Sequence, residues 1–249
     1  MRIFDVLVDA VPADARIVDV SVGIFWTFVQ TQYGCALSAT AHRWVEEPFG
    51  VVIPWAGELV GKRVLDLVEL YDGVSLTGRA LANAAVSAAF GTLEGGRFSN
   101  GSTQELLLSL CRESARPLHV ALVGHFHFAE VLRPAVHRLD VYELDHRCQP
   151  GDIPATCMAQ RLAEADIVVM TSSTLLTHAA EAVLSYCRKD AVKMMVGPGA
   201  PLHRTLWDFG FDVIGGSIVR DVAGVRLAVG QGGAHKQLPG VEKVNYWRV

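Results

Sequence analysis

The chain has 249 residues, of which 51% are hydrophobic and 19% charged, and its formal net charge is −4. That length allows one large domain or two of ordinary size, and the negative charge gives no electrostatic reason to expect a nucleic-acid partner. No segment approaches the roughly 20 apolar residues that span a bilayer, and the first residues lack a signal-peptide pattern. Five cysteines without close pairing are typical of reduced thiols, so we expect a cytoplasmic protein.

The first part of the chain predicts a small α+β unit. Apolar residues at helical spacing alternate with stretches rich in Val, Ile, Phe and Trp, which favour strands. A glycine-rich stretch, 91–101, is the predicted linker, and we place an N-terminal domain at residues 1–95. The predicted elements are a helix over 1–11, one long strand over 17–31, its hairpin partner over 35–41, and helices over 57–71 and 78–90.

The remainder, 104–249, predicts a second domain. Apolar, β-branched runs alternate regularly with helical segments, a pattern typical of βαβ units and a parallel sheet. The runs are continuously apolar, which indicates a sheet covered on both faces. The expected fold class is therefore α/β, with an N-terminal α+β domain and a Rossmann-like parallel sheet. The predicted strands are 118–123, 139–144, 166–170, 192–196 and 211–219, with 243–249 as an edge strand, and the predicted helices are 128–136, 154–165, 174–188 and 201–209.

The candidate site lies at the carboxyl ends of these strands, where open parallel sheets bind their ligands. Gly124 suits a tight turn after the first strand. Asp145 follows it by about 21 residues, the spacing at which a carboxylate meets a ribose hydroxyl in dinucleotide-binding proteins. The complete glycine fingerprint is absent, and a solvated loop carboxylate is an equal interpretation of Asp145. The other candidates at strand ends are His125, Gly151, Asp152, Thr171, Ser172, Thr174, Gly197 and Pro198.

Several of these residues also have a purely structural interpretation. Asp152 and Thr174 would serve well as helix N-caps, and Gly124 and Gly197 could simply form turns. The collective pattern is more informative than any single residue, because every predicted strand end carries small or polar side chains. It indicates a ligand site without naming the ligand.

A metal site is a second interpretation of the same region. Imidazole and thiolate are the usual ligands of zinc and its neighbours, yet the spacings match no familiar structural zinc site. Buried cysteines acting as small apolar residues are the simpler explanation. Neither a G-x-S-x-G nucleophile elbow nor a G-x-x-x-x-G-K-[ST] phosphate loop occurs. The residues concerned are His125, His127, His146, Cys148 and Cys157.

The chain resembles a family of bacterial and archaeal proteins described as putative heavy-metal chelation proteins, and the resemblance covers nearly its whole length. The matching segments are VGIFWTFV (22–29), GRALANAAVSA (78–88), VGHF (123–126), ELD (143–145), PGDIPA (150–155), TSSTL (171–175) and GPGAPL (197–202). The resemblance implies a domain like the N-terminal domain of enolase, a Rossmann-like C-terminal domain, and a site in the cleft between them. It also implies roles related to metals or corrinoids.

Carried over by position, the resemblance assigns family motif residues and exposes two departures. His127 stands where the family usually has proline, and Thr177-His178 stands where it usually has Asn-Gly. These departures would place two extra imidazoles near the cleft, and any protein-bound metal is expected on His125 and His127. The matching motif residues are Asn83, Gly124, Asp145, Gly151, Asp152, Thr171, Thr174, Gly197 and Pro198.

Three functions fit these observations. The first is the handling of a divalent transition metal or metal complex in the cleft, and the second is an enzyme that binds S-adenosylmethionine or a nucleotide against Gly124 and Asp145. The third is a non-catalytic module for a small anion or metabolite, held by helix N-termini. Fold alone does not choose among them. In each case the partner is a small molecule or metal, with neither nucleic acid nor membrane involved, and a homodimer is compatible with all three.

Overall fold

A computed structural model describes residues 1–41, 52–91 and 95–248. In these residues the chain forms a three-stranded antiparallel sheet and an eight-stranded, mostly parallel sheet, so the predicted α/β class is confirmed. All five cysteines lie in the described part, and none forms a disulfide. No helix in it is long and apolar enough to cross a membrane.

In the N-terminal unit one long helix packs against the small sheet, and a 3-10 helix packs against that helix. Helix α2 (Leu76–Ala88) begins two residues before the predicted start at 78, directly after Ser75, whose hydroxyl accepts a hydrogen bond from the Gly78 N–H as a standard N-cap. The predicted helix over 57–71 is shorter, since only its second half is helical. The elements are α1 (Ile3–Asp9), β1 (Ile17–Val22), β2 (Trp26–Thr31), β3 (Cys35–Ala39), a 3-10 helix (Val64–Tyr71) and α2 (Leu76–Ala88).

The prediction of one long strand over 17–31 was wrong, because the chain reverses in its middle. Strands β1 and β2 pair antiparallel with each other, and the Gly23 N–H donates to the Trp26 carbonyl at 2.9 Å to close the turn. A Cβ at Gly23 would lie 2.1 Å from the Val229 carbonyl oxygen. Glycine therefore lets this turn pack against the C-terminal half, which local propensity does not reveal.

The large sheet has the order β4-β11-β10-β9-β8-β5-β6-β7. The strands from β10 to β7 are parallel, whereas β11 pairs antiparallel with both of its neighbours, β10 and β4. The predicted C-terminal strands are confirmed within a few residues. The bounds are β4 (Gly96–Asn100), β5 (His119–Val123), β6 (Arg138–Glu143), β7 (Ile153–Pro154), β8 (Ile167–Thr171), β9 (Val192–Val196), β10 (Val213–Val219) and β11 (Val241–Arg248).

The glycine-rich linker prediction was wrong for the described residues 95–101. Most of them form β4, which pairs with β11 at the edge of the large sheet, so β11 lies one strand inside the edge on which it was predicted. Gly96 permits this pairing, since a Cβ there would lie 2.5 Å from ring atoms of both Trp207 and Tyr246. Gly96, one of the glycines that suggested a linker, is thus required for the close packing of β4.

The helices of the C-terminal half are shorter and more broken than the sequence predicted. The segment 174–188 divides into two helices at His178, whose φ is +55°, and the helices before β5 and β11 were not predicted. The bounds are α3 (Thr103–Glu113), α4 (Ala129–Leu132), α5 (Met158–Arg161), α6 (Ser173–Leu176), α7 (Ala180–Tyr186), α8 (Val222–Gly230) and 3-10 helices at Arg133–Ala135, Asp145–Arg147, Ala155–Cys157, Leu162–Glu164, Arg204–Phe209 and His235–Gln237.

Both faces of the parallel sheet are buried, as predicted. Val120 of β5 belongs to the same buried cluster as Leu107 of α3. Its neighbour Ala121 belongs to the cluster on the other face, which also contains Phe4 of α1 and Leu81 of α2. The N-terminal unit thus shares its apolar core with one face of the large sheet.

Candidate functional site

The strand order of the large sheet reverses between β5 and β8. Such a switch point leaves a crevice at the carboxyl ends of the strands, where ligands of α/β proteins bind. Gly124 follows β5 with a φ of +106°, and a Cβ there would lie 2.9 Å from Cγ2 of Thr171, the last residue of β8. A residue with a Cβ would be strained in this backbone conformation and would collide with Thr171, so the turn requires glycine.

A pocket of about 240 Å³ opens on the β5–β6 side of the switch point, and we call it the dyad pocket. Its side chains provide one imidazole, one carboxylate, one guanidinium and several hydroxyls, which suits a small polar ligand. Of its polar wall residues, His125, Thr171 and Thr174 were predicted from the sequence. The polar wall consists of His125, Glu143, Arg147, Thr171, Ser173, Thr174 and Thr177.

His125 and Asp152 form the imidazole–carboxylate dyad after which the pocket is named. Nδ1 of His125 lies 2.9 Å from Oδ2 and 3.0 Å from Oδ1 of Asp152, whose side chain is only 3% exposed. The carboxylate favours the tautomer with hydrogen on Nδ1. This leaves the lone pair on Nε2, which can then bind a metal or accept a proton.

The loop before β7 presents Asp152 to the imidazole. Gly151 has a φ of +95°, and the Gln149 N–H donates to Oδ2 of Asp152 at 2.9 Å. The helix that follows begins at Ala155, and no side chain caps it, so Asp152 holds His125 instead of acting as the N-cap that the sequence suggested.

Glu143 is a site residue that the sequence analysis missed. It is 8% exposed, and its carboxylate accepts hydrogen bonds from the backbone N–H groups of His125 (3.1 Å) and Leu144 (2.7 Å). The signal lay in the ELD segment, but there Asp145 was favoured for its spacing. Asp145 accepts a hydrogen bond from Thr156 at 3.3 Å and lies outside the walls of both pockets described here.

A second pocket, of about 370 Å³, opens on the β9–β10 side, and we call it the lysine pocket. It shares Phe126 and Thr171 with the dyad pocket, so the two are adjacent. Lys236 and Lys243 line it, and the described residues of its wall include no Asp or Glu. The net charge of the wall is therefore positive. Its walls include Trp26, Ser102, Thr103, His127, Phe128, Gly197, Pro198, His235, Lys236 and Lys243.

Aromatic rings form much of the lysine pocket. Phe126 and Phe128 stack with centroids 4.9 Å apart, and Trp26 of β2 meets the His235 ring edge-on at 5.7 Å. The buried Trp26 Nε1 and His235 Nε2 have no hydrogen-bond partner in the described part of the chain. Burial lowers the pKa of His235, helped by the charge of Lys243, so this imidazole is neutral at pH 7.

The histidines that the sequence brought into consideration as metal ligands do not converge. His125 lines the dyad pocket and His127 the lysine pocket, and the imidazole of His178 contacts the Tyr71 carbonyl at 3.0 Å without lining either. Over residues 1–41, 52–91 and 95–248, no group of three His, Cys, Asp or Glu side chains could hold a metal ion. A bare ion would therefore find at most an incomplete set of ligands here.

Two other predicted residues, Ser172 and Asn83, lie next to the loop after β9 but outside both pockets. Gly197 has a φ of +149°, and a Cβ there would lie 2.4 Å from Oγ of the buried Ser172. Asn83 of α2 donates from Nδ2 to the Gly199 carbonyl at 3.0 Å. Gly197 thus approaches Ser172 closely, and Asn83 binds the same loop two residues further on. Gly197 and Pro198 themselves line the lysine pocket.

Comparison with known proteins identifies relatives of the whole chain. Residues 107–248 match the DUF364 family and residues 4–90 match the DUF4213 family, each described as putative heavy-metal chelation. No curated protein matches.

Two solved structures of DUF364 proteins with unknown function have the same fold. One, from Desulfitobacterium hafniense, is 21% identical with a TM-score of 0.81, and the alignment covers 99% of this chain and 97% of that one. The other, from Pyrococcus horikoshii, is 17% identical with a TM-score of 0.75, and the alignment covers 100% of this chain and 98% of that one.

Proposed function

Because this chain belongs to the DUF364 family, described as putative heavy-metal chelation, we propose that it binds a divalent transition metal already held by a small chelating molecule. His125 supplies one protein ligand to the metal, in the dyad pocket at the switch point of the large sheet. The metal complex is the cargo of the protein.

The observation that carries this proposal is the contact of 2.9 Å between His125 Nδ1 and Asp152 Oδ2. Histidines that bind metals commonly donate their other N–H to a carboxylate, which fixes the ring and makes the free nitrogen more basic. The Asp152 carboxylate is nearly fully buried, so the ring is held firmly. His125 is therefore prepared to present Nε2 to a ligand that enters the pocket.

The cargo is a complex because the described residues offer a metal too few side chains. A tight protein site for zinc or its neighbours needs three or four nitrogen, sulfur or oxygen ligands, and no such group occurs in the described ranges. A small chelator would supply the missing ligands. The pocket would then need only one imidazole, together with the hydroxyls of Thr171 and Ser173, to orient the complex.

An adenosine-type cofactor has less support from the geometry. The glycine turn at Gly124 is present, but Asp145, the expected ribose contact, is hydrogen-bonded to Thr156 and lines neither pocket. We therefore expect that neither S-adenosylmethionine nor NAD raises the melting temperature of the protein.

The test uses Cu(II)–iminodiacetate, a complex that leaves coordination positions open for an imidazole. Isothermal titration should find one tight site per chain, and electron paramagnetic resonance should show coupling to imidazole nitrogen. His125→Ala should weaken binding by more than the roughly 10- to 100-fold that loss of a supporting residue costs. His137→Ala is the matched control, because His137 is exposed and directly precedes the amino end of β6.

Tight binding that survives in His125→Ala would overturn the proposal. So would equal losses in the two variants, because surface histidines would then account for the binding. Binding of free Cu(II) more tightly than its iminodiacetate complex would also count against a chelated cargo.

A further inference from the structure

Resting on the proposed function, we propose that the lysine pocket binds the organic chelator, and that this chelator is a flat, aromatic anion carrying carboxylate or phosphate groups. This pocket is not the one that His125 lines. Binding of the chelator can therefore be tested without a metal.

The charge of the pocket points to an anion. Lys236 and Lys243 are exposed at its mouth, and no described residue of its wall is acidic. The chain as a whole carries a net charge of −4, so this positive patch does not follow from composition. A concave positive patch concentrates anions and orients them as they enter.

Helix α3 turns its amino end toward the lysine pocket. The helix has 11 residues and begins with a capping box, in which the Ser102 hydroxyl accepts from the Glu105 N–H and the Glu105 carboxylate accepts from the Ser102 N–H. Ser102 and Thr103 line the lysine pocket. The Glu105 carboxylate offsets the partial positive charge of this helix end, so the positive charge of the pocket comes from the lysines.

The aromatic walls point to a flat ligand. Phe126 and Phe128 provide stacked rings, and Trp26 provides an indole from the N-terminal unit. Aromatic faces bind flat rings through offset stacking or edge contacts.

The position of the pocket fits a chelator whose metal is bound next door. Phe126 and Thr171 line both pockets, so a ligand in the lysine pocket borders the space that the His125 imidazole faces. One molecule could then contact the lysines with its anionic groups and hold a metal toward the imidazole.

The probe is pyridine-2,6-dicarboxylate, compared with its neutral analogue pyridine-2,6-dicarboxamide, both without metal. Titration calorimetry should show the dicarboxylate binding at least about tenfold more tightly, with an affinity that falls as salt increases. The double variant Lys236→Gln/Lys243→Gln should lose this preference. Lys189→Gln is the matched control, because Lys189 is exposed just before the amino end of β9, whereas the lysine pocket lies at the carboxyl ends of the parallel strands.

Two further ligands separate the features of the proposal. Citrate is anionic but not flat, and inorganic phosphate lacks a ring, so both should bind more weakly than the dicarboxylate. Equal binding of the dicarboxylate and the dicarboxamide would overturn the inference, as would an unchanged preference in the double lysine variant. Citrate binding as tightly as the dicarboxylate would overturn the flat-ligand part.

His125→Ala keeps the two proposals distinguishable. If the dicarboxylate binds this variant normally while Cu(II)–iminodiacetate does not bind even the wild type, the lysine-pocket inference stands and the metal function fails. If Cu(II)–iminodiacetate binds through His125 while the dicarboxylate does not bind, the opposite conclusion holds.

Discussion

Asn83 on α2 donates a hydrogen bond from Nδ2 to the carbonyl oxygen of Gly199, at 3.0 Å. The same amide nitrogen lies 3.3 Å from the Ser38 hydroxyl, and the side chain is 1% exposed. One buried amide thus joins the N-terminal unit to the loop that carries Gly197 and Pro198. Asn83 anchors this loop without lining the lysine pocket.

Asn83→Ala should destabilise the protein by about 1–3 kcal/mol, because it leaves the Gly199 carbonyl without its partner in a buried position. Chemical denaturation measures this change. Ser87→Ala is the matched control on the same helix: the Ser87 hydroxyl has no partner in the described part of the chain, so its loss should cost less than about 0.5 kcal/mol. Equal effects of the two substitutions would show that the Asn83 hydrogen bond contributes nothing.

Asp152→Asn should weaken the binding of Cu(II)–iminodiacetate by about 10- to 100-fold, the usual cost of altering a residue that supports a metal ligand. An asparagine oxygen can still accept from His125 Nδ1, but it lacks the negative charge that strengthens this hydrogen bond and so holds the ring in place. The titration should be made alongside His125→Ala, which should be the weaker binder. A variant as tight as the wild type would show that the charge of Asp152 is not used.

The parallel strands could be predicted from the sequence because they are buried on both faces and hence continuously apolar. The turn at Gly23 and strand β4 could not. Both depend on glycines that fit against distant residues, Val229 in the first case and Trp207 and Tyr246 in the second. Such packing leaves no local signal beyond the glycine itself.

The candidate site was predictable at the strand ends and unpredictable elsewhere. Gly124, His125 and Thr171 follow directly from the position of a strand end in the sequence. Lys243 joins them only because β11 pairs with β10 in a register that sets Lys243 opposite Ser217. The sequence predicted β11 only as an edge strand and did not indicate that it pairs antiparallel with β10.

Gly215→Ala should destabilise the protein by about 1–3 kcal/mol, the usual cost of overpacking. A Cβ there would lie 1.9 Å from Oγ1 of Thr103, whose hydroxyl donates to Asn245 Oδ1 at 2.7 Å, so α3 would have to move away from β10. Gly78→Ala serves as the control, since its added Cβ would meet only ordinary contacts at 3.6 Å. Within α2 that change should be neutral or stabilising by about 0.5–1 kcal/mol. If both variants gave the same sign, the tight contact at Gly215 would not limit packing.

Asp166 should make the stability of the protein fall in acid. Burial alone would raise the pKa of Asp166, but hydrogen bonds from the Arg116 guanidinium, the His119 N–H and the Arg188 guanidinium outweigh it and lower the pKa to about 2. Because the folded-state pKa lies below the unfolded value of about 3.9, this stabilisation is fully present above that value. It is lost as the pH falls toward 2, and amounts to about 2–3 kcal/mol.

Denaturant unfolding of wild type and Asp166→Asn between pH 6 and pH 2 measures this effect. The variant should be less stable at pH 6, because Arg116 loses its charged partner and Arg188 keeps only the exposed Asp190. The difference between the two proteins should then shrink as the pH falls. Parallel curves would show that Asp166 titrates alike in the folded and unfolded states.

His178 should prove a structural residue whose backbone is strained. Its φ of +55° costs a residue with a Cβ roughly 1–2 kcal/mol. The Tyr71 contacts, a hydrogen bond of 3.0 Å and a ring contact of 4.7 Å, offset part of that cost. His178→Ala removes these contacts but keeps the strain, whereas His178→Gly removes both. The glycine variant should therefore be the more stable of the two by about 1 kcal/mol.

The same pair of variants separates structure from ligand binding. Neither should alter the affinity for Cu(II)–iminodiacetate, since the imidazole faces Tyr71 and lines neither pocket. The stability difference between alanine and glycine isolates the backbone, because both lack the imidazole. An alanine variant as stable as the glycine variant would mean that the left-handed conformation carries no strain. A fall in metal affinity common to both would mean that His178 reaches the bound complex after all.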